Sequence, residues 1–276
     1  MSTNPSPHRT DAEWQRWGEL DPYFGVITHE RFRRENLDDA TLAEFFETGR
    51  RHVRHVLHTC RRQFDRNFKP QRALDFGCGV GRLLVGLAEQ VPAVVGLDVS
   101  EAMLTEARHN CDRHGHSRVE LLRSDDELSQ AGGEFDLIHS VIVFQHIDPT
   151  RGRRIAGRLI DLLAPSGIAA LHFTYAKAWF SDSWGQAPAS PPVPSPPPLS
   201  APRRWLSPLR AALRPRAEDN AAPTAVDADP VMEMHSYPMN ELLYLVQTCG
   251  ARTAHLEFTD HGGELGVVVY FRRPPA

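Results

Sequence analysis

The chain has 276 residues, enough for one α/β domain with an attached cap or insert. Apolar residues make up 41% and charged residues 24%, which is typical of a folded globular protein and argues against a disordered chain. The net charge of −4 provides no basic field that would attract nucleic acid, so no nucleic-acid partner is expected. No apolar run reaches membrane-spanning length, and we therefore expect no stable membrane insertion.

The first 69 residues are predicted to form a helical leader that closes over the rest of the fold as a lid. Residues 1–12 are polar and are expected to be disordered, and an aromatic segment broken at Asp21–Pro22 follows them. Residues 38–66 carry leucine, phenylalanine and valine at helical spacing, which predicts one long helix ending before Pro70.

Residues 70–175 alternate between strand and helix patterns. Short apolar runs predict strands at 72–76, 93–97, 118–123, 135–140 and 168–174, with helices between them at 81–90, 101–114 and 149–163. Asp148–Pro149 is a typical helix start. Strands that alternate with helices predict an α/β fold with a doubly wound, mostly parallel sheet and helices on both faces.

The remainder divides into an insert and a closing unit. Residues 176–236 contain a proline-rich tract at 186–202, which predicts an extended, mobile spacer. Residues 237–276 begin with a helix at 239–249. Two strands follow at 252–259 and 265–272, and we expect them to pair as a hairpin and complete the sheet.

A glycine-rich turn follows the first predicted strand of the core, in Asp75-Phe76-Gly77-Cys78-Gly79-Val80-Gly81. Glycines allow a tight turn and a close approach of the backbone to a ligand, but many nucleotides use such a turn. The carboxylate of Asp75 would repel a pyrophosphate. It suits S-adenosylmethionine (SAM), which has no phosphate and carries an ammonium and a sulfonium.

Acidic residues end the next two predicted strands. Asp98 can accept hydrogen bonds from both hydroxyls of a ribose, a contact that NAD and SAM share. Ser100 is the better candidate for capping the following helix. Ser124 precedes Asp125 and Asp126, either of which could accept a hydrogen bond from an adenine amino group, and Asp125 is favoured because it lies nearer the strand end.

These motifs together resemble those of the class I SAM-dependent methyltransferases. Residues 135–140, Phe-Asp-Leu-Ile-His-Ser, and the turn Pro165-Ser166-Gly167 extend the resemblance, which covers roughly residues 70–175 and the final strand pair. It implies a Rossmann-like sheet of seven strands whose last strand is antiparallel. It also implies that SAM is bound by Asp75, Gly77, Cys78, Gly79, Gly81, Asp98, Val99, Asp125, Asp126 and Ser140.

His146 is the favoured catalytic residue. It follows the fourth strand of the core, where loops line the ligand crevice of an open parallel sheet, and imidazole titrates near neutrality. A role limited to packing is the alternative. His172 and His235 are weaker candidates for the same role, and no clustered ligands indicate a metal site.

The sequence therefore predicts a SAM-dependent methyltransferase that acts on a hydroxyl or amine of a small molecule, such as a sugar, a lipid-linked sugar or a secondary metabolite. The resemblance places the insert 176–236 on the acceptor side of the sheet, and Phe180, Trp184, Met234 and Tyr237 are expected to shape the acceptor pocket. The alternatives are an RNA or other nucleic-acid methyltransferase and a non-catalytic SAM-binding accessory protein.

The spacing of the four cysteines fits neither a zinc site nor a disulfide framework, which predicts reduced thiols in a cytoplasmic protein. The sequence leaves the oligomeric state open.

Overall fold

The computed structural model of the protein describes residues 9–178 and 229–276. Its helices are α1 (Arg9–Leu20), α2 (Pro22–Val26), α3 (Asp39–Gln63), α4 (Arg82–Ala88), α5 (Glu101–Arg113), α6 (Pro149–Asp161) and α7 (Met239–Thr248). Its strands are β1 (Arg72–Phe76), β2 (Ala93–Asp98), β3 (Glu120–Arg123), β4 (Phe135–Ser140), β5 (Leu163–Lys177), β6 (Ala254–Asp260) and β7 (Glu264–Arg272).

The seven strands form one sheet in the order β3-β2-β1-β4-β5-β7-β6. Strands β1 to β5 pair in parallel, and β7 runs antiparallel to both β5 and β6. The order reverses at β1, from which the chain runs first to β2 and β3 and then back to β4. This confirms the predicted Rossmann-like sheet with an antiparallel last strand.

Helix starts follow from side chains that cap unpaired backbone amides. The Asp148 carboxylate accepts from the amide of Thr150 at 2.9 Å, and Pro149 stands in the first turn of α6. Ser100 Oγ accepts from the amide of Met103 at 3.1 Å and caps α5 as expected. Both caps confirm helix boundaries predicted from the sequence.

The largest differences from the expected boundaries lie at three places. Helix α1 already begins at Arg9, so the expectation of disorder to residue 12 is wrong for residues 9–12. Helix α3 ends at Gln63, earlier than expected. Strand β5 starts at Leu163, where it pairs with Phe135, and passes through Ser166 in the left-handed region (φ 65°) with a register shift against β4.

Apolar clusters cover both faces of the sheet and extend beneath the N-terminal helices. In the N-terminal cluster, Phe45 and Phe46 of α3 are fully buried and contact each other edge to face, and Met103 of α5 packs into the same cluster. The predicted N-terminal helices are therefore part of the core packing.

The proline-rich tract 186–202, Phe180 and Trp184 lie outside the described residues. Residues 229–238 return the chain to the fold beside α1, where the amide of Val231 donates to Glu13 at 2.9 Å. Within the two described ranges, no helix combines the length and apolarity that crossing a bilayer requires.

Candidate functional site

A cavity of about 730 Å³ lies at the carboxyl ends of β1 to β4, the edge at which open parallel sheets bind ligands. The loops after these strands form its floor, and α1 and α2 form part of its wall. The hairpin between β6 and β7 and the segment around Met232 contribute further residues. A volume of this size is typical of a small-molecule or cofactor site.

The glycine-rich turn forms the centre of the floor. Gly77 and Gly79 line the cavity and have positive φ angles of 74° and 51°. A Cβ atom at Gly77 would lie 2.3 Å from Val143 Cγ2, so only glycine fits there. Cys78 also lines the cavity, and burial raises the pKa of its thiol well above the ordinary value. Gly81 precedes α4 with a φ of 83° and lies outside the cavity lining.

Asp98 stands next to this turn at the end of β2. One carboxylate oxygen accepts from the amide of Gly79 at 2.8 Å, and the other accepts from the amide of Ser100 at 2.9 Å. Burial raises the pKa of Asp98 to about 6 in spite of these two hydrogen bonds. Asp98 and the neighbouring Val99 both line the cavity. The carboxylate is therefore held rigidly at the cavity wall.

Asp125 and Asp126 have different surroundings. Asp125 lines the cavity and accepts hydrogen bonds from the amide and hydroxyl of Ser129. Partial burial raises its pKa, but the hydrogen bonds from Ser129 outweigh burial and leave that pKa below the ordinary value. Asp126 instead pairs with Arg151 at 2.7 Å, and Arg151 also binds Asp11 of α1. Asp126 therefore anchors α1 through Arg151.

Asp75 and Ser140 lie behind the floor and outside the cavity lining. Asp75 is 1% exposed, and its Oδ1 atom lies 2.8 Å from Nδ1 of His139. Its Oδ2 atom is buried and has no hydrogen-bond partner among the described residues. Ser140 Oγ donates to the carbonyl of Phe76 at 3.0 Å and ties the ends of β4 and β1 together.

His146 lines the cavity beside α1, with its ring centroid 4.9 Å from that of Trp14. Its Nδ1–H donates to the carbonyl of Glu233 at 2.8 Å, and its Nε2 lies 3.3 Å from the side-chain nitrogen of Gln145. Burial lowers the pKa of His146 to about 4, so the ring is neutral at pH 7. Both ring nitrogens are thus engaged by protein groups.

The other expected site residues differ in whether they reach the cavity. His172 is fully buried, accepts from the amide of Ile142 and donates to Thr259 Oγ1 at 2.9 Å. His235 contacts Glu233 outside the cavity lining. Met234 does line the cavity. Tyr237 is 1% exposed and bonds the carbonyl of Ile147, so its expected place in the acceptor wall is wrong: it belongs to the core.

Several lining residues were not anticipated from the sequence. His52 and Thr48 come from α3, Arg82 begins α4, and His261 lies in the final hairpin. His52 lies seven residues after Phe45, on the helix face whose apolar members pack inward. A histidine on that apolar face is the signal that could have identified it.

A family model described as a methyltransferase domain matches residues 73–167. An uncharacterized methyltransferase of Synechocystis is 36% identical over 101 residues, which cover 37% of this chain and 46% of that protein. A ubiquinone biosynthesis O-methyltransferase of Ruegeria pomeroyi is 31% identical over 147 residues, covering 47% of this chain and 58% of that protein. The chain thus spans about half the length of the curated relatives it matches.

Two solved structures share the fold across nearly the whole chain. The magnesium protoporphyrin IX methyltransferase of Synechocystis with bound S-adenosylhomocysteine has a TM-score of 0.55 at 17% identity, covering 92% of this chain and 98% of that chain. The N-methyltransferase NodS of Bradyrhizobium japonicum has a TM-score of 0.55 at 15% identity, covering 97% and 100%. Residues 73–167 are therefore similar in sequence to a methyltransferase domain, and the seven-stranded sheet around them has the fold of both solved methyltransferase structures.

Proposed function

We propose that the chain transfers a methyl group from SAM to a hydroxyl or amine of a small-molecule acceptor. The observation that carries the proposal is the Asp98 carboxylate, fixed by two backbone amides at the wall of a cavity whose floor is a glycine turn. SAM supplies an electrophilic methyl group on a sulfonium. The protein's task is then to align an acceptor with that methyl group.

The described residues fit this cofactor. Asp98 can accept the two ribose hydroxyls, and Asp125 can accept the adenine amino group. The orphaned Oδ2 atom of Asp75 lies behind the floor and is a suitable partner for the ammonium through a bridging water. Gly77 and Gly79 let the backbone approach the ligand. Cys78 and Val99, which also line the cavity, are further proposed binding residues. Gly81, Asp126 and Ser140 lie outside the lining and are proposed to act by holding the turn, Arg151 and the end of β1 in place.

The acceptor side is proposed to lie under the lid and the segment from Asp229 to Tyr237. Trp14, Val26 and Ile27 face the cavity from the leader, and Met232 and Met234 face it from that segment. Apolar and aromatic walls of this kind favour an acceptor with a hydrophobic body. The four cysteines form no disulfide, which supports the proposed cytoplasmic location.

Ligand binding tests the cofactor assignment. In calorimetry, SAM and S-adenosylhomocysteine (SAH) should bind, while NAD should not, because the Asp75 carboxylate lies behind the turn that would hold a pyrophosphate. Incubation with labelled SAM and fractionated metabolite extracts should then transfer label to a small-molecule fraction. Binding of NAD in preference to SAH would contradict the proposal. SAH binding without transfer to any fraction would support an accessory protein.

We propose that His146 contacts the acceptor and aligns it, because its neutral ring is fixed on both sides. His146→Gln should then lower turnover by no more than about tenfold and leave the shape of the pH profile between pH 6 and 9 unchanged. SAH affinity serves as the control for folding. A loss of about 10²–10⁴-fold together with an altered pH profile would show that His146 is instead the catalytic base.

A further inference from the structure

Two buried side chains and one half-buried side chain are linked by hydrogen bonds from the interior of the protein to the cavity. Oδ1 of Asp75 on β1 lies 2.8 Å from Nδ1 of His139 on β4, and Nε2 of His139 lies 2.9 Å from Nε2 of His52 on α3. Asp75 and His139 are 1% and 2% exposed and lie behind the cavity, whereas His52 is part of its wall. Of these three side chains, His52 is therefore the one that a ligand can reach.

The hydrogen bonds between these three side chains constrain where each proton lies. A carboxylate only accepts, so His139 Nδ1 must carry the hydrogen of its bond to Asp75. When His139 carries only this one proton, the lone pair on its Nε2 accepts a hydrogen bond from Nε2–H of His52. Nδ1 of His52 is left as a bare lone pair. No described residue bonds this nitrogen, and it is not among the buried polar atoms.

We propose that His52 is the proton acceptor for the methyl acceptor's O–H or N–H group, with His139 and Asp75 as positioning residues; this rests on the proposed function. The O–H or N–H bond breaks, its proton joins Nδ1 of His52, and its electron pair stays on the acceptor atom as the nucleophile. The proton on His52 Nε2 passes to His139 Nε2. The positive charge then lies on His139, 2.8 Å from the Asp75 carboxylate.

The transfer of a proton from His52 to His139 explains how His52 can act as a base. Burial, followed by the positive charges that His139, Arg82, His55 and His172 can carry, lowers the pKa of His52 well below the ordinary value. A lone imidazole there would be a weak base. Because the charge moves to His139 and pairs with Asp75, the unfavourable charge on His52 need not persist. Within the described ranges no cluster of three metal-binding side chains competes with this role.

Nitrogen NMR on the SAH-saturated, histidine-labelled protein tests the tautomers without an acceptor. His52 should show a protonated Nε2 and a bare Nδ1 at pH 7, and His139→Gln should convert His52 to a mixture of tautomers. His58→Gln, an exposed change on the same helix, should leave the His52 signals unchanged. A protonated Nδ1 on His52 in the parent protein would overturn the proposal.

Kinetics with the metabolite fraction that accepts label test the base role. His52→Gln should lower turnover by about 10²–10⁴-fold, with SAH affinity within about twofold, and its residual rate should rise with pH as the acceptor ionises unaided. His139→Gln should also lower turnover and should alter the pH profile of turnover. His58→Gln should change neither the turnover nor its pH profile. Unchanged turnover in His52→Gln would overturn the proposal, as would a parallel loss of SAH binding, which would assign His52 to the cofactor site. Absence of SAH binding to the parent protein would instead count against the proposed function.

Discussion

Replacing Gly49 with alanine is expected to destabilise the protein by about 3 kcal/mol, because no space exists for a methyl group. Gly49 lies in α3 at its crossing with α4, and a Cβ atom there would lie 2.1 Å from the carbonyl oxygen of Arg82. Neither partner can yield by a side-chain rotation, since the obstacle is backbone. The helices must separate, which would also displace Thr48 and His52 from the cavity wall.

Thermal unfolding followed by circular dichroism measures this effect, with an expected fall in melting temperature of roughly 5–10 °C. The matched control is Gly157→Ala in α6, where nothing lies within 4 Å of the added methyl group. That change should stabilise the protein by up to about 1 kcal/mol, since alanine favours helix over glycine. Equal changes in melting temperature for the two substitutions would show that α3 and α4 can separate at Gly49 without a loss of stability.

The sheet and the part of the cavity that is proposed to bind the cofactor could be predicted because their signals are local. Strand–helix alternation specified β1 to β5, and glycine spacing after Asp75 specified the turn that forms the cavity floor. Asp98 was predictable because it ends a strand that the parallel arrangement brings beside that turn. Each of these inferences needs only the chain order and the direction of neighbouring strands.

The part of the cavity wall that is proposed to bind the acceptor was less predictable, because it depends on contacts between distant segments. His52 and His139 are 87 residues apart and meet only when α3 packs on the sheet. Tyr237 was expected in the wall of the acceptor pocket, but it packs in the core, where its hydroxyl donates to the carbonyl of Ile147. Likewise, Asp126 pairs with Arg151 and through it reaches α1, a contact that strand-end reasoning could not anticipate.

SAH affinity is expected to fall about tenfold between pH 8 and pH 5, with its midpoint near pH 6. Burial raises the pKa of Asp98 to about 6, so at pH 5 only about one carboxyl in ten is ionised. The ionised form offers the stronger acceptors for ribose hydroxyls. His146, with a pKa of about 4, is already neutral over most of this range, and Asp125, with a lowered pKa, is already ionised.

The same pKa predicts how the ligand-free protein responds to pH. Because the folded-state pKa of Asp98 is higher than its unfolded value, folding favours the protonated carboxyl. The stability that Asp98 contributes in its protonated form is lost as pH rises from about 4 through about 6. Bound SAH should offset this loss. The increase in melting temperature caused by SAH is therefore expected to be larger at pH 7.5 than at pH 5.

Asp98→Asn separates this carboxylate from other titrating groups at the cavity, such as His261. The amide is permanently neutral, so SAH binding should weaken by roughly 1.5–3 kcal/mol at pH 8, about 10- to 100-fold, the range for hydrogen bonds to a charged group. Its affinity should then be nearly independent of pH between 5 and 8. Calorimetric titrations of both proteins across this range provide the measurement. If the variant keeps the tenfold pH dependence of the parent, the titrating group is not Asp98, and its assignment as the ribose acceptor loses its main electrostatic support.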